Sequence, residues 1–249
     1  MRSRKPLIVI AIAALAAVLA GCGDGPPLEQ VRVLRFNPSA IVTKQPRGAT
    51  AVRASLTSAA AAQRLPPAMS VPQVGSIAVG ATNAGRLVNG LQLPGTGPDW
   101  VTYDPILHVV PNRGDRRWAS DRLLAYLLYV LRDYRLANPG APPIAIGDLS
   151  RPYGGAFGSD FGGLGHVSHQ NGLDVDVYYP RLDRALAPPG DVAQVDRGLA
   201  QDLVGRFVAA GAEHAFVGLR VGLGGPPGIV QAIEHHDDHV HVRIANWRR

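Results

Sequence analysis

The stretch Gly165-His-Val-Ser-His-Gln-Asn-Gly-Leu-Asp-Val-Asp176 joins a turn signal to an apolar strand and carries several groups that can bind a metal ion. His169 and Asp176 are seven residues apart, and on one continuous strand an odd separation would place them on opposite faces. Asn171-Gly172, however, is a strong turn pair. We therefore expect His169 to precede a turn and Asp176 to return on the next strand, so that the two side chains converge.

A second stretch, His235-His-Asp-Asp-His-Val-His241, contains four histidines. Together with the two in the first stretch, six of the eight histidines of the chain lie in two short clusters. His239 and His241 are two residues apart, so on a strand they point to the same face. Two imidazoles and one carboxylate suit a catalytic Zn²⁺, which takes three protein ligands and leaves its fourth position open. We expect His169, Asp176 and His241 to hold one Zn²⁺ per chain. His239 is expected beside the metal, as a proton acceptor or an oxyanion stabiliser.

The hydrophobic pattern outside these clusters predicts an α+β fold. Two helices are expected, over 120–136 with Ser120 as N-cap and over 192–210 with Gly211 at the C-terminal cap. Short apolar runs predict strands over 144–146, 174–178, 215–217 and 240–244. We expect a small antiparallel sheet that carries the zinc site and packs with the helices.

The N-terminus has the pattern of a secretory signal. Three basic residues precede the apolar run 7–20, which is shorter than the roughly 20 residues that span a bilayer. The run ends in Leu19-Ala20-Gly21-Cys22, which resembles the lipobox of bacterial lipoproteins. This predicts a signal peptide over 1–21, lipid attachment at Cys22 and a membrane-anchored protein of the cell envelope. A tether and Ala/Pro-rich extension over 22–75 then leads to a single compact domain over 76–249 that carries the expected zinc site.

Composition excludes several classes of protein. The 249 residues are 46% hydrophobic and 18% charged, which is incompatible with a disordered chain. The single cysteine excludes an intramolecular disulfide framework and a zinc site built from several thiolates. The net charge of +6 falls to near +3 without the signal peptide, with 22 basic and 19 acidic residues and no run of like charges. We therefore expect no nucleic-acid partner.

The two histidine stretches together resemble the lysostaphin/D-Ala-D-Ala metallopeptidase/hedgehog superfamily. More narrowly, the motifs at 165–176 and 236–243 are similar to those of the penicillin-insensitive murein endopeptidases, and the resemblance covers residues 76–247. It implies a zinc enzyme that cleaves D-alanyl–meso-diaminopimelyl cross-links in peptidoglycan. It also implies that His166 and His236 lie in the active site without binding the metal.

Two other activities are compatible with the same motifs. One is a D,D-carboxypeptidase of this superfamily, which removes a terminal D-Ala, and the other is a non-catalytic zinc domain that binds the cell wall. Asp174 and Asp148 either orient a ligand histidine or serve a turn or cap. Asp237 and Asp238 are expected to be solvated.

Overall fold

The computed structural model describes residues 70–158 and 167–246 of the chain. Cys22, His166 and almost all of the predicted extension lie outside the described residues, and the boundary at residue 76 stays a prediction. The elements, in chain order, are β1 (Ile77–Ala81), β2 (Ala84–Val88), β3 (Leu91–Gln92), β4 (Trp100–Thr102), β5 (Trp118–Ala119), α1 (Asp121–Ala137), β6 (Ile144–Ile146), β7 (Asp174–Tyr178), α2 (Arg197–Ala209), β8 (His214–Gly218), β9 (Val230–Ile233) and β10 (His239–Arg243).

The main sheet has six strands in the order β4-β6-β7-β10-β8-β9. Its central pairs, β6 with β7, β7 with β10 and β10 with β8, are antiparallel. Its outer pairs are parallel, β4 with β6 and β8 with β9. The expected antiparallel sheet is thus wrong at both edges, and the sheet is mixed. The reason at one edge is α1, which links β4 to β6 as a crossover and returns the chain in the same direction.

Alternation along β7 and β10 separates an apolar face from a polar face. Val175, Val177, Val240 and Val242 are fully buried and belong to one apolar core with the leucines of α1 and α2. Because successive strand side chains point to opposite faces, the histidines and aspartates between these valines lie on the other side of the sheet. The helices therefore support the sheet from one side and leave its polar side to form a site.

Both predicted helices are present. In α1 the Ser120 hydroxyl accepts a hydrogen bond from the backbone N–H of Leu123 at 3.1 Å, which confirms the predicted cap. The second helix starts later than expected, because the Asp196 carboxylate accepts from the Leu199 N–H at 3.1 Å and sets the start of α2 at Arg197. Residues 192–194 form a separate 3₁₀ turn.

No helix in the described ranges combines the length and the hydrophobicity needed to cross a membrane.

Candidate metal centre

The pairing of β7 with β10 sets three polar pairs side by side. His241 lies opposite Asp176, His239 opposite Tyr178 and Arg243 opposite Asp174. Directly opposed residues of antiparallel strands have Cβ atoms about 5 Å apart. The two-residue spacing in each strand, read from the sequence, is therefore converted by this register into a compact polar cluster.

His169 joins this cluster from the bend that precedes β7. The chain bends over residues 170–172, and His169 and Gly172 both have positive φ, 66° and 75°. A Cβ on Gly172 would lie 2.8 Å from a methyl carbon of Leu87, so a larger residue does not fit there. The predicted convergence of His169 with Asp176 across Asn171-Gly172 agrees with this geometry.

His169, Asp176 and His241 are all buried, and each offers one ligand atom within 4.8 Å of the others. His169 Nε2 lies 3.3 Å from Asp176 Oδ1, and His241 Nδ1 lies 3.0 Å from the same oxygen. Among the described residues this is the group of three that could hold a metal ion. Two nitrogen donors and one oxygen donor fit the donor set of a catalytic zinc site.

The opposite ring nitrogens of both histidines are fixed by hydrogen bonds. His169 Nδ1–H donates to the backbone carbonyl of Leu149 at 2.8 Å, which leaves Nε2 towards Asp176. His241 Nε2–H donates to Asp174 Oδ1 at 2.8 Å. Such outer partners set the tautomer and the orientation of metal ligands. Of the two aspartates considered from the sequence, Asp174 thus contacts a candidate ligand.

Asp148 has a different partner set. Its carboxylate accepts from Arg116 Nε at 2.6 Å and from Asn112 Nδ2 at 3.0 Å, and all three residues are buried. Asp148 also supports β7 through its backbone carbonyl, which accepts from the Asp176 N–H at 2.9 Å. It therefore anchors the strand that carries Asp176 and makes none of the hydrogen bonds to His169 or His241 described above.

The cluster carries strongly shifted pKa values. Burial opposes ionisation of Asp176, but the imidazoles of His169 and His239 outweigh it and hold the pKa of that carboxyl well below its usual range. Burial also opposes protonation of His241, yet the hydrogen bonds from its ring to Asp174 and Asp176 raise the pKa of His241 to about 9. Without a metal, His241 is therefore an imidazolium between two carboxylates at neutral pH.

A metal ion that takes Nδ1 of His241 has to displace its proton. We expect metal binding at about pH 7.5 to release about one proton from this residue, and the apparent affinity to rise by up to tenfold per pH unit towards about pH 9. Calorimetry in buffers of different ionisation enthalpy measures the released proton. An observed enthalpy that does not depend on the buffer would contradict this prediction.

Two further histidines of the second cluster lie beside the triad. His239 Nε2 is 3.5 Å from Asp176 Oδ1, and the rings of His239 and His236 have centroids 4.8 Å apart. Burial lowers the pKa of His236, and its Nδ1–H donates to the carbonyl of Glu234 at 2.6 Å. The structure thus brings His239 and His236 to the candidate metal centre, as expected from the sequence.

The comparisons with known proteins bear on the same residues. A family model described as penicillin-insensitive murein endopeptidase matches residues 78–201. The chain belongs to this family. The matched range includes His169 and Asp176 and stops before His239 and His241, which the fold brings to them through β10.

Curated murein endopeptidases match shorter segments. The penicillin-insensitive murein endopeptidase of Escherichia coli O157:H7 is 39% identical over 74 residues, which are 29% of this chain and 23% of the relative. The proteins of the same name from Klebsiella pneumoniae and Yersinia enterocolitica are 31% identical over 100 and 101 residues. Those segments are 40% and 41% of this chain and 31% and 32% of the relatives. The aligned segments therefore span less than a third of each relative.

In this murein endopeptidase family member the triad lies in an open cavity of about 930 Å³. The cavity is also lined by residues 80 and 81 at the end of β1 and by residues 82 and 83 of the turn to β2. Tyr178, Phe216 and Arg243 line it from the main sheet. The hairpin was not predicted, because its strands are short and half exposed and lack a strong apolar alternation. The three candidate ligands thus line a cavity that is open to solvent.

Asp238 is the residue that sequence reasoning missed. Its side chain is 42% exposed, in keeping with the expected solvation, yet its Oδ1 accepts from His239 Nδ1–H at 2.7 Å. This hydrogen bond leaves Nε2 of His239 towards Asp176. Asp238 directly precedes β10, which begins at His239. Because it lies outside the strand, the rule that neighbouring side chains point to opposite faces does not apply to it.

We expect Asp238→Ala to lower turnover about 10- to 100-fold, because His239 loses the partner that fixes its tautomer. Zinc content should not change. The matched control is Asp237→Ala, since Asp237 binds Arg220 Nε at 2.6 Å and not a histidine of the site. Equal losses in the two variants would contradict a specific role for Asp238.

Proposed function

We propose that the protein is a zinc-dependent murein endopeptidase that hydrolyses D-alanyl–meso-diaminopimelyl cross-links in peptidoglycan. The observation that carries this proposal is the buried His169–Asp176–His241 triad that lines an open cavity, in a chain of the murein endopeptidase family. We further propose that these three residues hold one Zn²⁺ per chain.

A zinc ion held by the triad would polarise the scissile carbonyl and activate a water molecule for attack. The remaining work falls to residues of the chain. His239 has its Nδ1–H committed to Asp238, so Nε2 is the nitrogen that can accept a proton or face a developing oxyanion. The lowered pKa of His236 keeps its ring neutral beside His239, which suits a polar contact to the substrate. We assign His166 to the same active site on the family resemblance.

The test of substrate class compares cross-linked muropeptide dimers with monomeric pentapeptides by mass spectrometry. We expect dimers to be converted to monomers, with no release of D-Ala from the pentapeptide. Release of D-Ala alone would favour a D,D-carboxypeptidase. Binding to sacculi by the zinc-loaded protein without any product would favour a non-catalytic cell-wall domain.

We also propose that the protein is a lipoprotein of the cell envelope, anchored to a membrane through Cys22. The support is the Leu19-Ala20-Gly21-Cys22 motif after the apolar run 7–20. Cys22→Ser should move the protein from the membrane fraction to the soluble fraction and abolish labelling with a fatty acid. Unchanged membrane association of this variant would contradict the anchor.

A further inference from the structure

Arg243 lines the same cavity as the triad, two residues after His241 on the same face of β10. Its Nε donates to Asp174 Oδ1 at 2.7 Å, and its Cζ lies 5.8 Å from the centroid of the Phe216 ring. Asp174 in turn accepts from His241. The guanidinium is therefore held in place by an ion pair on one side and an aromatic ring on the other.

The two terminal nitrogens of Arg243 are left without a protein partner among the described residues. The ion pair with Asp174 uses Nε alone, and Asp174 Oδ2 accepts no hydrogen bond. Glu213 lines the same cavity, but no ion pair joins it to Arg243. A guanidinium fixed through Nε and open at both terminal nitrogens is suited to a bidentate pair with a carboxylate.

We propose that Arg243 binds the free carboxylate that neighbours the scissile bond on its amine side. This inference rests on the proposed function. In a D-alanyl–diaminopimelyl cross-link, the carbon that bears the acylated nitrogen also bears a carboxyl group, so an unmodified bond of this kind presents a carboxylate at this place. Arg243 and His241 are two residues apart on one strand, so their Cα atoms are separated by about 7 Å. When the scissile carbonyl of the substrate lies at the triad, Arg243 is therefore within reach of the next residue of the substrate.

The consequence is a preference for cross-links whose diaminopimelyl carboxyl group is free over cross-links in which it is a carboxamide. A carboxamide loses the charge and half of the acceptor atoms that a guanidinium fork requires. Phe216 adds an apolar surface beside both Arg243 and His241. The centroid of its ring is 5.6 Å from the centroid of the His241 ring. This surface suits the aliphatic carbons next to the carboxylate.

The experiment measures kcat/KM of the zinc-loaded full chain on two muropeptide dimers that differ only in this group, acid or carboxamide. We expect wild-type protein to prefer the acid by about tenfold or more. Arg243→Gln should cleave both substrates at similar rates, and Arg243→Lys, which keeps a charge beside Asp174, should have an intermediate preference. Arg220→Gln is the control, because Arg220 pairs with Asp237 outside this contact, and it should keep the wild-type preference.

Zinc content is measured for every variant, so that loss of the metal is separated from loss of substrate recognition. A wild-type protein that cleaves both dimers equally well overturns the carboxylate site and leaves the proposed function intact. A Gln variant that loses the same factor on both substrates, with zinc retained, overturns it as well and reduces Arg243 to a partner of Asp174. Failure of the zinc-loaded wild type to cleave either dimer contradicts the proposed function, and the carboxylate site with it.

Discussion

His169→Ala is expected to lose bound zinc and peptidase activity together. His169 offers Nε2 to the triad while Leu149 holds its other nitrogen, and alanine leaves only two donors. Removal of an outer-sphere partner alone costs about 10- to 100-fold in metal affinity, so we expect removal of a ligand to weaken zinc binding by more than about 100-fold. Metal analysis of the purified variant and digestion of muropeptide dimers measure the two effects.

The matched control is His108→Ala. His108 lies in a loop, where its Nδ1 is 3.3 Å from the Tyr103 hydroxyl, and it does not line the cavity. This variant should keep both zinc and activity. Circular dichroism of both variants separates loss of the metal from loss of the fold. A folded His169→Ala protein that still digests dimers at the wild-type rate would refute the assigned ligand set.

His239→Ala is expected to keep zinc and to lose most of its turnover. His239 faces Asp176 at 3.5 Å but lies outside the proposed triad of ligands. Loss of a general base or acid lowers kcat by about 10²- to 10⁴-fold. The effect should appear in kcat and not in KM, because the residue acts on the reacting atoms and contributes little to binding of the ground state.

His239→Gln distinguishes the two roles considered for this residue. Glutamine can donate a hydrogen bond to an oxyanion but cannot accept a proton at neutral pH. If His239 is the general base, the Gln variant should be as impaired as the Ala variant. If it stabilises the oxyanion, Gln should recover part of the activity. An alanine variant with full turnover would remove His239 from the mechanism.

Much of the candidate site could be predicted because its geometry is local. The bend at Asn171-Gly172 and the alternation of β7 and β10 act over a few residues, so the convergence of His169 with Asp176 and the shared face of His239 and His241 followed from spacing. The observed β7 has the predicted bounds, Asp174–Tyr178. α1 was also predictable, since its leucine periodicity and its Ser120 cap lie within one segment.

Sheet order and orientation could not be read in the same way. The place of β10 between β7 and β8 depends on contacts between segments more than 20 residues apart, and no local pattern records them. The edge strands β4 and β9 have three and four residues, which are too few for a pattern of alternation to be recognised in the sequence. The parallel outer pairs were therefore missed.

Of the two hydrogen bonds that support the site, the sequence suggested the one to Asp174 only as an alternative and did not suggest the one to Asp238. Asp174 reaches His241, and Asp238 reaches the histidine that follows it. Each of these hydrogen bonds depends on the rotamer of the aspartate and on the residue at which the neighbouring strand begins, and residue spacing gives neither. Sequence therefore identified the candidate ligands and left their supporting contacts to the structure.

If the triad holds one catalytic zinc ion per chain, as we propose, activity must depend on zinc with a stoichiometry of one, and a titration measures this. Metal-free protein receives increasing zinc while cleavage of a D-alanyl–diaminopimelyl muropeptide dimer is followed. We predict that activity is absent without metal and rises in proportion to added zinc until one equivalent is bound. Full cleavage of the dimer by protein shown to be free of metal would rule out a catalytic zinc ion at the triad.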